Sequence, residues 1–197
     1  MADHNLEKFT SKNPLQQYFI EKFYTALVGE IRSIEKKNSI LDAGCGEGFT
    51  TRRLQKEFSS LQFTGIDQDE EAIDYAIKND SHARYSRGDV TKIPFDDSSF
   101  DLVLCNEVLE HLPHPELAIT ELLRVTKKYL LISVPHEPFF RISNLIRGRN
   151  ILRFGNYPYH LNTWSKKQIT RLLSHYCVVE KAQTPFPWTL LTCRKKS

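Results

Sequence analysis

The chain has 197 residues, of which 40% are hydrophobic and 26% are charged, and its formal net charge is +3. This length suits one α/β unit with a single core, and the composition is that of an ordinary globular protein. The small net charge does not favour a nucleic-acid partner.

The N-terminus is polar, and no run of about eighteen apolar residues is present, so we expect neither a secretory signal nor a membrane span. Four widely spaced cysteines, with no Cys-x-x-Cys pair, are typical of reduced thiols. The sequence therefore predicts a single cytoplasmic domain over residues 1–197.

The first predicted element is an amphipathic helix within residues 13–37. It follows Asn13-Pro14 and carries apolar residues at helical spacing. We expect it to pack on the sheet before the first strand, and we assign residues 1–38 to an N-terminal helical cap.

A glycine-rich turn follows the first predicted strand, Ser39–Leu41. The turn reads D-A-G-C-G-E-G over Asp42–Gly48, and a helix begins near Phe49. Glycines at alternate positions indicate positive φ or a ligand lying against the main chain. Nicotinamide-binding turns instead use G-x-G-x-x-G and bind a pyrophosphate, which the carboxylate of Asp42 would repel. The turn therefore predicts a nucleoside cofactor with cationic character.

Three more apolar strands follow, and each ends in polar residues. Two are predicted at Leu61–Asp67 and Phe100–Asn106, and the one between them ends in Tyr85-Ser86-Arg87-Gly88-Asp89. A carboxylate at the end of the second strand, here Asp67, offers paired acceptors to a ribose diol. Asp69 is expected to cap the next helix.

In this order, over residues 39–135, the motifs resemble those of the class I S-adenosylmethionine-dependent methyltransferases. The sequence N-E-V-L-E-H at 106–111 is similar to that of their small-molecule branch, which includes ubiquinone- and menaquinone-pathway enzymes. The resemblance implies an α/β, Rossmann-like, seven-stranded sheet, mostly parallel, with an antiparallel C-terminal hairpin edge and helices on both faces. It also implies S-adenosylmethionine as cofactor and methyl transfer to an oxygen, nitrogen or carbon of a small-molecule or lipid-like acceptor.

The resemblance assigns a role to each motif. Asp67 would bind the ribose, Asp89 would bind the adenine amino group beside the Val90 backbone, and Tyr18 or Tyr24 would cover the cofactor; a turn-capping role for Asp89 is the alternative. The implied cofactor-binding residues are Asp42, Gly44, Cys45, Gly46, Gly48, Asp67, Gln68, Asp89, Val90, Asn106 and Glu107.

Acidic residues and a histidine follow the fourth strand, in the sequence N-E-V-L-E-H-L. Glu107, Glu110 and His111 are predicted to share one helical turn, where they could bind a divalent metal such as Mg, as in ubiquinone-pathway relatives. Two alternatives remain: the helix only supports the methionine end of the cofactor, or His111 is a general base.

A long connection, which we assign to residues 136–163 as a substrate-cap insertion, follows the fifth strand. It is rich in aromatic residues and carries Arg141, Arg147, Arg149 and Arg153. Such a segment favours an acidic or phosphorylated amphiphile, met at a membrane surface through peripheral contact; a solvated basic face is the alternative. His160 is a second candidate base.

Residues 164–197 are predicted to form the last helix and a strand hairpin, and residues 39–135 form the cofactor-binding core. Ser165 begins that helix with a capping box. Two other functions remain open: a nicotinamide-dependent oxidoreductase and a non-catalytic partner subunit with the methyltransferase fold.

Overall fold

The computed structural model describes residues 13–139 and 160–196. Within these ranges the strands are β1 Ser39–Ala43, β2 Gln62–Asp67, β3 Arg84–Arg87, β4 Phe100–Asn106, β5 Thr126–Pro135, β6 Cys177–Gln183 and β7 Trp188–Lys195. These seven described strands form one sheet in the order β3-β2-β1-β4-β5-β7-β6. β1 to β5 pair in parallel, whereas β7 is antiparallel to both β5 and β6. The predicted mostly parallel sheet with an antiparallel hairpin edge is confirmed.

Helices in the same ranges are α1 Pro14–Ser33, α2 Phe49–Glu57, α3 Glu70–Asn79, α4 Pro115–Val125 and α5 Lys166–Tyr176, with a 3-10 turn at Leu109–His111. Three helix starts follow from their caps. The side chain of Asn13 accepts hydrogen bonds at the start of α1, Asp69 does so for α3, and Ser165 forms the predicted capping box.

Two apolar clusters cover the two faces of the sheet. On one face, Leu27 and Ile31 of α1 pack with Leu104 of β4. On the other face, α4 and α5 pack on β5, where Ile119 and Ile132 are both fully buried. Burial on both faces explains the continuous apolar run of β5.

The apolar residues of α4 do not all face the core. Leu117 is 53% exposed, whereas Ala118, Ile119 and Leu122 are fully buried. The buried stripe therefore lies on one side of the helix.

Glu30 fastens α1 to the antiparallel edge of the sheet. Its carboxylate is buried and accepts hydrogen bonds from Lys181 Nζ at 2.5 Å, Gln183 Nε2 at 2.9 Å and Thr192 Oγ1 at 2.6 Å. Burial raises the pKa of Glu30, but these donors, led by Lys181 and Thr192, outweigh burial and lower the pKa overall. The cap helix is therefore held to the sheet by charge-assisted hydrogen bonds as well as by apolar packing.

Most of the predicted substrate cap, 136–163, lies outside the described residues, because these omit 140–159. The four arginines of the cap are among the omitted residues. No helix in the described part of the chain is both long enough and apolar enough to cross a membrane.

Candidate active site

The glycine turn lies at the carboxyl end of β1, and all three of its glycines have positive φ, at 79°, 52° and 73°. The backbone N–H groups of Gly44 and Cys45 donate to Ile66 O, at 2.8 and 3.0 Å, and thereby bind the turn to β2. A Cβ on Gly44 would lie 2.3 Å from Val108 Cγ2, and one on Gly48 would lie 2.8 Å from the Tyr85 hydroxyl. These two glycines therefore make room for side chains of the protein itself.

Asp67 ends β2 directly beside this turn. Its Oδ2 accepts a hydrogen bond from Gly46 N at 2.8 Å, and its Oδ1 accepts one from Asp69 N at 3.0 Å. Each carboxylate oxygen has a second lone pair, so a diol can still bind. Burial raises the pKa of Asp67, although the backbone hydrogen bonds oppose the shift. Gln68, the next residue, is exposed.

Asp42, at the end of β1, is 1% exposed. Burial raises its pKa to about 6; the hydrogen bond from Thr51 Oγ1, at 2.6 Å, opposes this shift, and the nearby charge of Asp67 adds to it. Within the described ranges, no lysine or arginine forms an ion pair with Asp42 or Asp67. Two neighbouring acids without a cationic partner favour a ligand that carries positive charge.

Thr51 and Tyr85 support the glycine turn, and neither contact was predicted from the sequence. Tyr85 donates from its hydroxyl to Asp80 Oδ2 at 2.8 Å, and its ring fills the space above Gly48 and Gly65. The available sequence signal was the position of Thr51 in the helix after the turn, which could have indicated its contact with Asp42.

The loop after β3 reaches the same edge of the sheet, because Gly88 N donates to Asp67 O at 2.9 Å. Asp89 is exposed, and its Oδ1 accepts from Thr91 N at 2.7 Å and Thr91 Oγ1 at 2.8 Å. Val90 is buried. The turn-capping role of Asp89 is therefore present, and its second oxygen is the one that an adenine amino group could approach.

Asn106 and Glu107 end β4 at this edge. Asn106 accepts from Ser133 Oγ at 3.0 Å through Oδ1, whereas its Nδ2 is buried and has no acceptor among residues 13–139 and 160–196. Glu107 donates its N–H to Ser133 O at 2.9 Å and has φ 56°, an uncommon conformation for a residue with a side chain. A buried donor without an acceptor beside a strained residue is typical of a ligand site.

Tyr24 of α1 lies over the start of α2. It is 3% exposed, its hydroxyl is 3.1 Å from Thr50 Oγ1, and the Arg53 guanidinium carbon is 4.0 Å from the centre of its ring. Burial raises the pKa of Tyr24, so the hydroxyl keeps its proton. Tyr18, the other predicted lid residue, is 51% exposed.

The structure brings together Glu110, His111 and His160, whose potential metal-ligand atoms all lie within 4.8 Å of one another. The two imidazole rings meet edge to face at 5.0 Å. Leu161 N donates to Glu110 O at 2.8 Å, and this hydrogen bond holds the returning chain against the 3-10 turn.

Glu107 is not part of this cluster. The prediction that Glu107, Glu110 and His111 share one helical turn is wrong, because the backbone of Glu107 is left-handed and the 3-10 turn begins only at Leu109. The two predicted bases, His111 and His160, are instead neighbours.

Comparison with known proteins gives one family match. The model of a methyltransferase domain matches residues 41–132. An uncharacterized methyltransferase of Schizosaccharomyces pombe is 32% identical over 108 residues, which are 49% of this chain and 39% of the relative. A ubiquinone biosynthesis O-methyltransferase of Coxiella burnetii is 27% identical over 180 residues, which are 82% of this chain and 71% of the relative.

The fold also matches solved structures. Magnesium protoporphyrin IX methyltransferase from Synechocystis PCC 6803, solved with bound SAH, superposes with a TM-score of 0.71 at 16% identity. The match covers 93% of this chain and 88% of that one. Motif order, sheet topology and family match agree: residues 41–132 match a methyltransferase domain, and the chain has the fold of this solved methyltransferase.

Proposed function

We propose that this protein binds S-adenosylmethionine at the carboxyl edge of the sheet and transfers its methyl group to a small-molecule or lipid-like acceptor. One observation carries the proposal: Asp42 and Asp67 end neighbouring strands, both have raised pKa values, and neither is paired with a lysine or arginine in the described chain. A ligand with a sulfonium, an ammonium and a ribose diol supplies what this pair of acids lacks. A dinucleotide would add negative charge instead.

The remaining contacts follow from the positions of the polar groups. Asp67 binds the ribose hydroxyls while it holds Gly46. The free Nδ2 of Asn106 donates to the carboxylate of the methionine part, which satisfies the buried donor. Asp89 and Val90 border the adenine. The solved relative with bound SAH has the same fold and supports a sulfur nucleoside as the ligand.

The reaction is a displacement at the sulfonium carbon: the new bond to the acceptor forms as the bond to sulfur breaks. Positioning alone is worth roughly 7 to 11 kcal/mol in favourable intramolecular models. A general base adds about 100- to 10,000-fold where the acceptor must lose a proton. His111 and His160 are the proposed bases, and their contact makes either one available to the same acceptor.

A divalent metal at Glu110, His111 and His160 is the second candidate for this cluster, because the three side chains bring their ligand atoms within 4.8 Å. Two imidazoles and one carboxylate suit zinc, cobalt or iron better than Mg²⁺, which prefers oxygen ligands. Such an ion, when bound, would act as a Lewis acid that lowers the pKa of an acceptor hydroxyl.

Methyl transfer is tested with methyl-labelled S-adenosylmethionine and a panel of phenols, quinols, prenyl phosphates and sugar phosphates. The panel includes phosphates because the sequence of the cap favours an acidic amphiphile. We expect labelled product with the parent protein and none with Gly46→Arg, which places a long side chain in the turn. Cofactor binding without product on any acceptor would favour the non-catalytic partner subunit.

A further inference from the structure

His136 lies directly after β5, at the edge of the sheet where the glycine turn and Asp67 also lie. β7 begins at this edge, since Pro135 pairs with Trp188. His136 belongs neither to the proposed cofactor contacts nor to the cluster around Glu110.

Three contacts fix the position of His136. Its Nδ1 is 2.7 Å from Thr189 Oγ1, and its backbone N–H donates to Pro187 O at 2.9 Å. Its ring stacks on that of Phe139, with the ring centres 5.6 Å apart and 11° between the ring planes. Nε2 makes no hydrogen bond to any residue within 13–139 or 160–196. The ring is therefore fixed, with one nitrogen left for a ligand.

In the neutral tautomer whose Nδ1–H donates to Thr189 Oγ1, Nε2 of His136 is a hydrogen-bond acceptor. Burial lowers the pKa of His136, and the positive charge of Lys166 on α5 lowers it further. Thr189, its partner on β7, is not titratable, and among the described residues Lys166 is the charged group that acts on the ring.

Aromatic rings continue from His136 across the edge of the sheet. Phe139 meets Phe186 at 5.9 Å, and Phe186 meets Phe19 of α1 at 5.2 Å. Phe139 remains 49% exposed. The three phenylalanines, here called the aromatic row, form an apolar wall that begins at the His136 ring.

His136 lies at a distance from the proposed cofactor site that a small methyl-accepting molecule can span. Asn106 pairs with Ser133 across β4 and β5, and His136 follows three residues later. Three residues of extended chain advance about 10 Å. The cofactor contacts lie on β1, β2 and β4, so β5 is the next strand along the same edge.

From this geometry we infer that His136 and the aromatic row form the acceptor subsite. Nε2 accepts a hydrogen bond from a hydroxyl of the methyl-accepting substrate, and the planar apolar part of that substrate packs on Phe139 and Phe186. The reaction that the subsite serves rests on the proposed function, but the subsite itself does not, because its residues are in place without cofactor.

The test uses catechol, a small planar probe with two hydroxyls. Full-length protein with ¹⁵N-labelled histidine is titrated with catechol by NMR and calorimetry, with and without S-adenosylhomocysteine. We compare the parent with His136→Gln and with the control His114→Gln, which changes an exposed histidine at the start of α4. The result expected is a catechol-dependent shift of the His136 Nε2 resonance.

Catechol affinity should fall roughly tenfold in His136→Gln, the loss of about one hydrogen bond, and remain unchanged in His114→Gln. Affinity for S-adenosylhomocysteine should be the same in all three proteins. An unshifted His136 signal, or equal catechol affinity in parent and His136→Gln, overturns the subsite. If the parent does not bind S-adenosylhomocysteine, only the proposed function is overturned, since the catechol titrations without cofactor still report on His136.

Discussion

Asp67 Oδ2 accepts a hydrogen bond from the backbone N–H of Gly46 at 2.8 Å, so the acid at the end of β2 holds the glycine turn at the end of β1. The same carboxylate is the proposed ribose ligand. Under the proposed function, the shape of the turn and the recognition of the cofactor therefore depend on one side chain.

Replacing Asp67 with alanine should weaken S-adenosylhomocysteine binding about 100-fold, because charge-assisted hydrogen bonds contribute roughly 1.5 to 3 kcal/mol each. Calorimetry measures the change. Asp74→Ala, which removes an exposed acid from α3, is the matched control and should bind as the parent does. Equal affinity in Asp67→Ala and the parent would show that the ribose role is wrong.

The raised pKa of Asp42 makes a prediction about stability and pH. Its value in the folded protein is about 6, against 3.8 for the free group, so the folded state favours the protonated acid. This stabilisation is complete below about pH 4 and is lost as the pH rises through 6. Relative to Asp42→Asn, the parent should lose about 3 kcal/mol of unfolding free energy between pH 4 and pH 8.

Urea denaturation of the ligand-free proteins at several pH values measures this difference. Asp101→Asn is a useful comparison, because hydrogen bonds led by Lys127 overcome burial and lower the pKa of that acid to about 2. The parent should gain stability relative to Asp101→Asn as the pH rises from 2 to 5. A pH-independent difference between the parent and Asp42→Asn would contradict the buried-acid description.

Gly44→Ala should destabilise the protein by about 2 to 4 kcal/mol, since the new Cβ lies 2.3 Å from Val108 Cγ2 and the backbone φ is 79°. The second change Val108→Ala removes the colliding atoms. In a double-mutant cycle, measured by denaturation, the pair should therefore show a favourable coupling of about 1 kcal/mol or more. If the two changes in unfolding free energy simply add, contact with Val108 is not the reason that position 44 requires glycine.

Glu30→Gln should destabilise the protein by about 2 kcal/mol at pH 7, because Lys181 and Thr192 lose a charged acceptor. The pKa of Glu30 is lowered in the folded protein, so its contribution is present above pH 4.5 and disappears as the pH falls through the folded value. Denaturation at pH 7 and pH 3 checks this, and an advantage of the parent that is no smaller at pH 3 than at pH 7 would disagree.

Cobalt absorption tests the metal candidate. Co²⁺ bound by two imidazoles and one carboxylate should give visible absorption that is lost in His160→Gln and retained in Glu107→Gln, since Glu107 lies outside the cluster. Loss of the signal in Glu107→Gln but not in His160→Gln would restore the ligand set expected from the sequence.

Strands and helix caps could be predicted because both are local properties of the sequence. The apolar run Phe100–Asn106 forms β4 with the predicted bounds, and Asp67 ends β2 as expected. Asp69 and Ser165 cap helices through side chains that contact the next few residues. Each of these features depends on neighbours in the chain.

The features that were missed depend on contacts between distant segments. Tyr85 fills the space above Gly48, and His160, from far along the chain, contacts His111. The left-handed backbone of Glu107 also carries no signature in the sequence, because glutamate rarely adopts it. Spacing alone predicted a helical turn there.

Calorimetric titration with S-adenosylmethionine, S-adenosylhomocysteine and NAD tests the central claim most directly. Asp42 and Asp67, which have no cationic partner in the described chain, predict micromolar binding of both sulfur nucleosides and no binding of NAD. S-adenosylmethionine should be favoured above pH 6, where Asp42 is ionised. Binding of NAD, or of neither sulfur nucleoside, would contradict the account.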